Sequence, residues 1–127
     1  MKVVIDTHAL LWLLVGSDRL GSKAVAIIES NDVLVSELSI MEIGIKESVG
    51  KLPIGTTKRV GAALEELRFE RKALGQAQAE FLAELPLHHR DPFDRGIVAL
   101  AASIGAPIMT ADRAFGAYDV RLIDARE

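Results

Sequence analysis

Lys2-Val3-Val4-Ile5-Asp6, followed at once by Thr7-His8-Ala9-Leu10-Leu11-Trp12-Leu13-Leu14, is the stretch that decides the fold. Its first five residues read as a buried strand: short, β-branched and closed by a polar residue. Thr7 is placed to cap a helix that carries Leu10, Leu11, Trp12, Leu13 and Leu14. Gly16-Ser17-Asp18 breaks that helix.

The alternation continues down the chain. A second helix is predicted over 22–30, with Ser22 as its cap, and Val33-Leu34-Val35 reads as a second strand. From Ser36 to Val49 the apolar residues Leu38, Met41, Ile45 and Val49 recur at helical spacing, and Gly50 stands where a left-handed end cap belongs. Pro53 and Gly55 mark a loop. An amphipathic helix follows over 57–68, with Val60, Leu64 and Leu67 on one face. A short strand is expected within 69–74 and a helix over 77–85, ended by Pro86. Asp91-Pro92 is a helix start, an acid cap followed by proline at the first helical position, and that helix runs to about Ser103. Ile108-Met109-Thr110 is a strand, 111–115 a short helix and 120–123 a last strand. Strands alternating with helices predict an α/β fold, a mainly parallel sheet with helices on both faces.

The 127 residues fit one domain, expected to span 1–127. With 50% hydrophobic and 26% charged residues the composition is globular rather than disordered. The absence of cysteine excludes disulfides, thiolate metal sites and a cysteine nucleophile. No apolar run approaches the roughly 18 residues of a spanning helix, and the start lacks the apolar core of a signal peptide. A soluble, cytoplasmic protein with no membrane association is expected. The net charge of −3 argues mildly against nucleic acid. A cation bound among acids would offset part of that charge locally.

Ligands of parallel sheets bind beyond the carboxyl ends of the strands. Asp6 closes the first strand and Asp112 follows a late one, so both belong at that edge. Glu42 and Asp94 lie near the starts of two helices. Gathered together, such carboxylates repel one another unless a hard divalent cation sits between them. Each also has a structural reading. Asp6 suits a strand-end turn, Glu42 suits a capping box with Ser39, and Asp112 suits the cap of a short helix. Asp94 is a first-turn acid behind the stronger cap, Asp91. Thr110 is either a plain strand residue or a hydroxyl that ligates metal or orients water. Lys46, Arg90, Arg95 and Arg113 are basic residues placed to meet phosphates, although solvent-facing helix charge accounts for any one of them. His8 neighbours Asp6 and is either a support for it or a packing residue; the adjacent His88 and His89 face different directions and suit structural roles. No glycine-rich phosphate loop is present.

The stretches Val4-Ile5-Asp6-Thr7-His8-Ala9-Leu10-Leu11-Trp12, Ser39-Ile40-Met41-Glu42-Ile43-Gly44-Ile45-Lys46, His89-Arg90-Asp91-Pro92-Phe93-Asp94-Arg95 and Met109-Thr110-Ala111-Asp112-Arg113 together resemble the PIN-domain ribonucleases, in particular VapC-type toxins of toxin–antitoxin pairs. The resemblance implies a three-layer α/β/α sandwich, a Mg2+ or Mn2+ cofactor and endonucleolytic cleavage of RNA. Asp6, Glu42, Asp94 and Asp112 match the family's acidic set, with Thr110 beside them. It further implies a cognate antitoxin partner and a homodimer. Met41 stands where relatives often have tryptophan, and Gly96 and Leu100 replace a leucine and a glutamine, which puts helix packing and substrate contacts in question rather than the chemistry. Two other readings compete. In one the chain is a non-catalytic interaction module, associating through its 9–15 and 57–68 helices. In the other it is a small-molecule phosphatase or phosphoacceptor domain, against which stands the lack of a second acid two residues after Asp6.

Overall fold

The computed structural model describes residues 1–88 and 91–127; His89 and Arg90 lie outside the described residues. In chain order the elements are β1 (Lys2–Ile5), α1 (Thr7–Leu14), α2 (Ser22–Ser30), β2 (Asp32–Ser36), α3 (Glu37–Ser48), α4 (Thr56–Leu67), β3 (Glu70–Lys72), α5 (Gln76–Glu84), α6 (Pro92–Ile104), β4 (Ile108–Thr110), a 3-10 helix (Arg113–Ala117) and β5 (Leu122–Asp124). The strands form one sheet in the order β3-β2-β1-β4-β5, with every neighbouring pair parallel. β1 is therefore central: Val3 stands opposite Val33 on one side, and Ile5 opposite Met109 on the other.

The two-residue period of a strand explains the layers. Val3, Ile5, Val33, Val35 and Met109 face one side, against Ala9 and Leu10 of α1, Ala24 and Ile28 of α2, Ile43 of α3, and Val60 and Leu64 of α4. Val4, Leu34 and Ile108 face the other, against Ile97, Val98, Leu100 and Ala101 of α6. Each large aliphatic side chain buried in this way stabilises the fold by roughly 1.5–3 kcal/mol. A sheet covered on both faces is what continuous apolar strands require, and the three-layer α/β/α architecture follows.

Several helix ends form as local chemistry predicts. Ser36 caps α3, its Oγ accepting from the Leu38 N–H at 3.1 Å, and Gly50 follows that helix at a φ of 79°. Asp91 caps α6 through Oδ1, accepting from the N–H groups of Phe93 at 2.8 Å and Asp94 at 3.3 Å. Other ends differ from expectation. The cap of α1 is Asp6 rather than Thr7, because the Asp6 carboxylate accepts from the Ala9 N–H at 2.8 Å and Thr7 already lies within the helix. The cap of α2 is Gly21 rather than Ser22, and no side chain serves it. Backbone from the far end of the chain does so instead: the Lys23 N–H donates to the Glu127 carbonyl at 2.8 Å and the Gly21 N–H to the Ala125 carbonyl at 2.9 Å. That approach leaves no room for a side chain, since a Cβ on Gly21 would stand 2.0 Å from the Glu127 carbonyl carbon. Asp112 caps the late short helix, which shifts it to 113–117 and delays the last strand to 122–124. Leu67, expected on the buried face of α4, is 46% exposed in the last helical position before the left-handed Arg68.

Beyond this apolar packing, one carboxylate ties the start of α4 to α3. Glu47 accepts from the Gly55 N–H at 2.9 Å, the Thr57 N–H at 2.7 Å and the Thr57 hydroxyl at 2.7 Å, which supplies the helix start with the cap that Gly55 lacks. The Thr57 hydroxyl, then the Thr57 and Gly55 N–H groups, hold the Glu47 carboxyl down at about 2, against an ordinary value of 4.5. A lowered folded value means that the contribution is present above pH 4.5 and lost as pH falls toward 2. Glu47→Gln is therefore expected to lower the melting temperature at pH 7, with the gap to the parent narrowing through that acid window. Thermal melts across pH would show it, and a gap as wide at pH 3 as at pH 7 would remove the linkage.

Candidate active site at the carboxyl edge of the sheet

The parallel register brings the ends of β1, β2 and β4 together, and the polar interior of the molecule lies there. Among the described residues the buried polar or charged side chains are Asp6, Thr7, Ser36, Ser39, Glu42 and Thr110, each at most 6% exposed. All six lie at the carboxyl end of a central strand or on the helix that follows it. Buried polar groups cost several kcal/mol unless bonded, and among the described residues no buried side-chain nitrogen or oxygen lacks a partner.

Asp6 uses both carboxylate oxygens. Oδ1 accepts from the Ala9 N–H at 2.8 Å, and Oδ2 from the Thr110 hydroxyl at 2.5 Å. The Thr110 hydroxyl in turn accepts from the Asp112 N–H at 2.9 Å. Burial pushes the Asp6 carboxyl above its ordinary range. The Thr110 and Ala9 bonds and the neighbouring His8 pull against that rise, and the charge of Asp112 adds to it. A desolvated carboxylate beside a second acid gains from any cation brought near it.

Glu42 sits in the second turn of α3. Its Oε1 accepts from the Thr7 hydroxyl at 2.8 Å, and its Oε2 meets the Lys46 ammonium at 3.0 Å one turn further on. Ser39 lies inside the helix and its hydroxyl stands 3.0 Å from that of Thr7, so the Ser39–Glu42 capping box does not form. Asp112 caps the 3-10 helix through the Ala114 N–H at 2.9 Å while remaining exposed. Asp94 is half-buried in the first turn of α6. A close helix contact sets its position. A Cβ on Gly96 would stand 2.3 Å from Leu38 Cδ1, so glycine lets the start of α6 rest against the start of α3. Leu100 is buried in the core of α6, which accounts for an apolar residue at that position.

Lys46 is paired with Glu42, and Arg113 is exposed at the start of the 3-10 helix. The Arg95 guanidinium is directed at backbone carbonyls of the α5 end. Thr7 and Ser39 are site residues that sequence reasoning treated only as caps. Their signal is a hydroxyl at the strand end and another three residues before Glu42. Asp124 was missed as well. It stands in register with Thr110 on the same edge, where Arg126 takes both its oxygens and holds its carboxyl down.

The donors available at this edge are carboxylate and hydroxyl oxygens, the chemistry that suits a hard divalent cation. Among the described residues, no group of three or more acids or histidines is placed to hold a metal ion. In this arrangement Glu42 is turned to Thr7 and Lys46, and Asp6 to Thr110 and Ala9.

A family model described as PIN domain matches residues 3–121. The chain belongs to the PIN domain family. Solved structures with a similar fold include VapBC2 from Rickettsia felis bound to a DNA fragment from their promoter, 15% identical with a TM-score of 0.72, covering 97% of this chain and 98% of that one. FitAcB from Neisseria gonorrhoeae is 20% identical with a TM-score of 0.68, covering 97% of each chain. A toxin–antitoxin complex from Klebsiella pneumoniae is 19% identical with a TM-score of 0.70, covering 98% of each. At these identities the likeness speaks for the fold. No curated protein matches the chain in sequence. Among the described residues no helix is long and apolar enough to cross a membrane.

The two roles of Asp6 separate by substitution. Its raised folded value means that ionisation works against folding as pH rises, so removing the charge does not cost stability. Asp6→Asn keeps an acceptor for the Ala9 N–H and is expected to melt at or above the parent temperature in chelator. Asp6→Ala loses the cap and the Thr110 partner and is expected to cost about 1 kcal/mol or more. Chemical denaturation distinguishes the two, and equal losses would remove the capping role.

Proposed function

We propose that this PIN-domain chain is a divalent-metal-dependent endoribonuclease and the toxin of a toxin–antitoxin pair. The observation that carries the reading is the concentration of buried polar side chains, Asp6 and Glu42 among them, at the carboxyl edge of the sheet. Asp6, Asp94 and Asp112 would hold Mg2+ or Mn2+, with Glu42 holding water, serving a second ion or acting as the base. The bound ion would supply Lewis acidity, making a water more acidic and stabilising charge on the phosphate oxygens. The chain's own residues orient the acids. Thr110 holds one oxygen of Asp6, while Thr7 and Lys46 hold Glu42 from opposite oxygens. Arg113, and Lys46 once drawn from Glu42, are the basic groups suited to the RNA backbone. Water attack at phosphorus that breaks the bond to the 3′-oxygen leaves a 5′-phosphate and a 3′-hydroxyl. Cytoplasmic location and a homodimer belong to the same reading.

Cleavage of an RNA pool is expected with Mg2+ or Mn2+ and not in chelator. Asp6→Asn and Asp94→Asn are expected to abolish cleavage, a fall of at least 100-fold in rate, while both proteins stay folded. Full activity in either variant or in chelator would sink the assignment.

The antitoxin partner is supported by a cleft as well as by the fold. Leu11, Trp12 and Leu14 of α1, with Val15 just after it, face Val60 and Ala63 of α4 across about 350 Å³, a cleft that Arg59 also lines. That surface suits an apolar helical segment carrying an acid to meet Arg59. Val15 is 75% exposed, so Val15→Asp should leave folding and RNA cleavage intact. It is expected to reduce co-purification with the neighbouring gene product at least tenfold. Undiminished co-purification would place the partner elsewhere.

A further inference from the structure

Arg95 carries its charge in the first turn of α6, directly after Asp94. Its guanidinium is committed to protein. Nη1 donates to the Pro86 carbonyl at 3.1 Å and the Tyr118 hydroxyl at 3.4 Å, and Nη2 to the carbonyls of Leu82 and Leu85, each at 3.3 Å. Leu82 and Leu85 belong to the last turn and end cap of α5, where the Leu82 carbonyl also accepts from the Leu85 N–H at 3.2 Å and a cation meets the negative end of the helix dipole. None of the residues of α5 is buried; it rests on α6, where the Gln78 side-chain amide donates to the Ser103 hydroxyl at 3.2 Å. Tyr118 is the end cap of the 3-10 helix that Asp112 begins. One planar group thus joins α5, the turn bearing Asp94 and the segment that starts at Asp112.

We infer that Arg95 is a positioning residue that sets the Asp94 turn against the Asp112 segment, and that it is not a contact to the RNA backbone. The metal-binding consequence rests on the nuclease reading above; the strap itself does not. A planar fork with several fixed donors can reach four acceptors on two other segments, which the compact ammonium of lysine cannot. A phosphate contact would tolerate lysine, which binds phosphate as a point charge.

The test compares the full chain with Arg95→Lys, Arg95→Met and the milder Tyr118→Phe. Mn2+ affinity is measured by calorimetry, binding of a single-stranded RNA by its salt dependence in chelator, and backbone opening by hydrogen exchange. Both Arg95 variants are expected to lose about tenfold or more in Mn2+ affinity, lysine no less than methionine. Exchange should quicken over residues 82–88 and 91–95, and the RNA salt slope should match the parent. Tyr118→Phe, which keeps the charge and loses one of the four bonds, should shift exchange in the same direction by less. A salt slope reduced by about 0.7, with Mn2+ affinity kept in Arg95→Lys, would make Arg95 a phosphate contact and overturn the inference. If the parent itself binds no Mn2+, the nuclease reading fails, and hydrogen exchange decides the strap alone: unchanged exchange in Arg95→Met overturns it.

Discussion

The Asp6 carboxylate joins two parts of the chain at a place that water barely reaches. One oxygen starts α1 and the other holds Thr110 at the end of β4, a neighbour separated by nearly the whole sequence. The bonds stabilise the arrangement, and the burial they require opposes the charge they bind. Capping alone does not account for the acid, since a serine or asparagine would cap equally well. A side chain chosen only for capping need not carry a desolvated charge. Glu42 repeats the pattern with different partners, held by a hydroxyl on one oxygen and an ammonium on the other. The edge of the sheet is thus lined with acids already oriented by the protein.

Most of the architecture was legible because its causes are local. Val3-Val4-Ile5 and Val33-Leu34-Val35 bury both faces of a parallel sheet, so short apolar runs between helical periods suffice to predict the layers. Asp91-Pro92 starts α6 through bonds made within three residues. Where the cause is distant, local reading fails. Ser22 looks like a cap, yet the partner of that helix start is backbone from residues 125–127. The same holds for Thr7, whose hydroxyl is drawn to Glu42 while Asp6 takes the cap.

The site divides in the same way. That Asp6 and Asp112 share an edge follows from parallel strands alone, and the charge of Asp112 is felt by Asp6. The roles of basic residues do not follow, because a cation's partner is set by whatever the fold carries past it. Lys46 meets an acid on its own helix, which spacing could have shown. Arg95 meets carbonyls of another helix, which no spacing could show. Gly96 belongs with these. Its small size has a reason only once Leu38 is seen against it.

The strand order carries a consequence for synthesis. β1 lies at the centre of the sheet but leaves the ribosome before the other strands, whereas β4, which must pair with it, follows β2 and β3. Folding must therefore close long loops before the central strand has both neighbours, a feature of slow, high-contact-order topologies. Asp6 cannot meet Thr110 on a nascent chain that has not yet delivered residues 108–110. The acidic edge is assembled only once residues 108–110 have been delivered, so a ribosome-bound fragment that stops short of them lacks it.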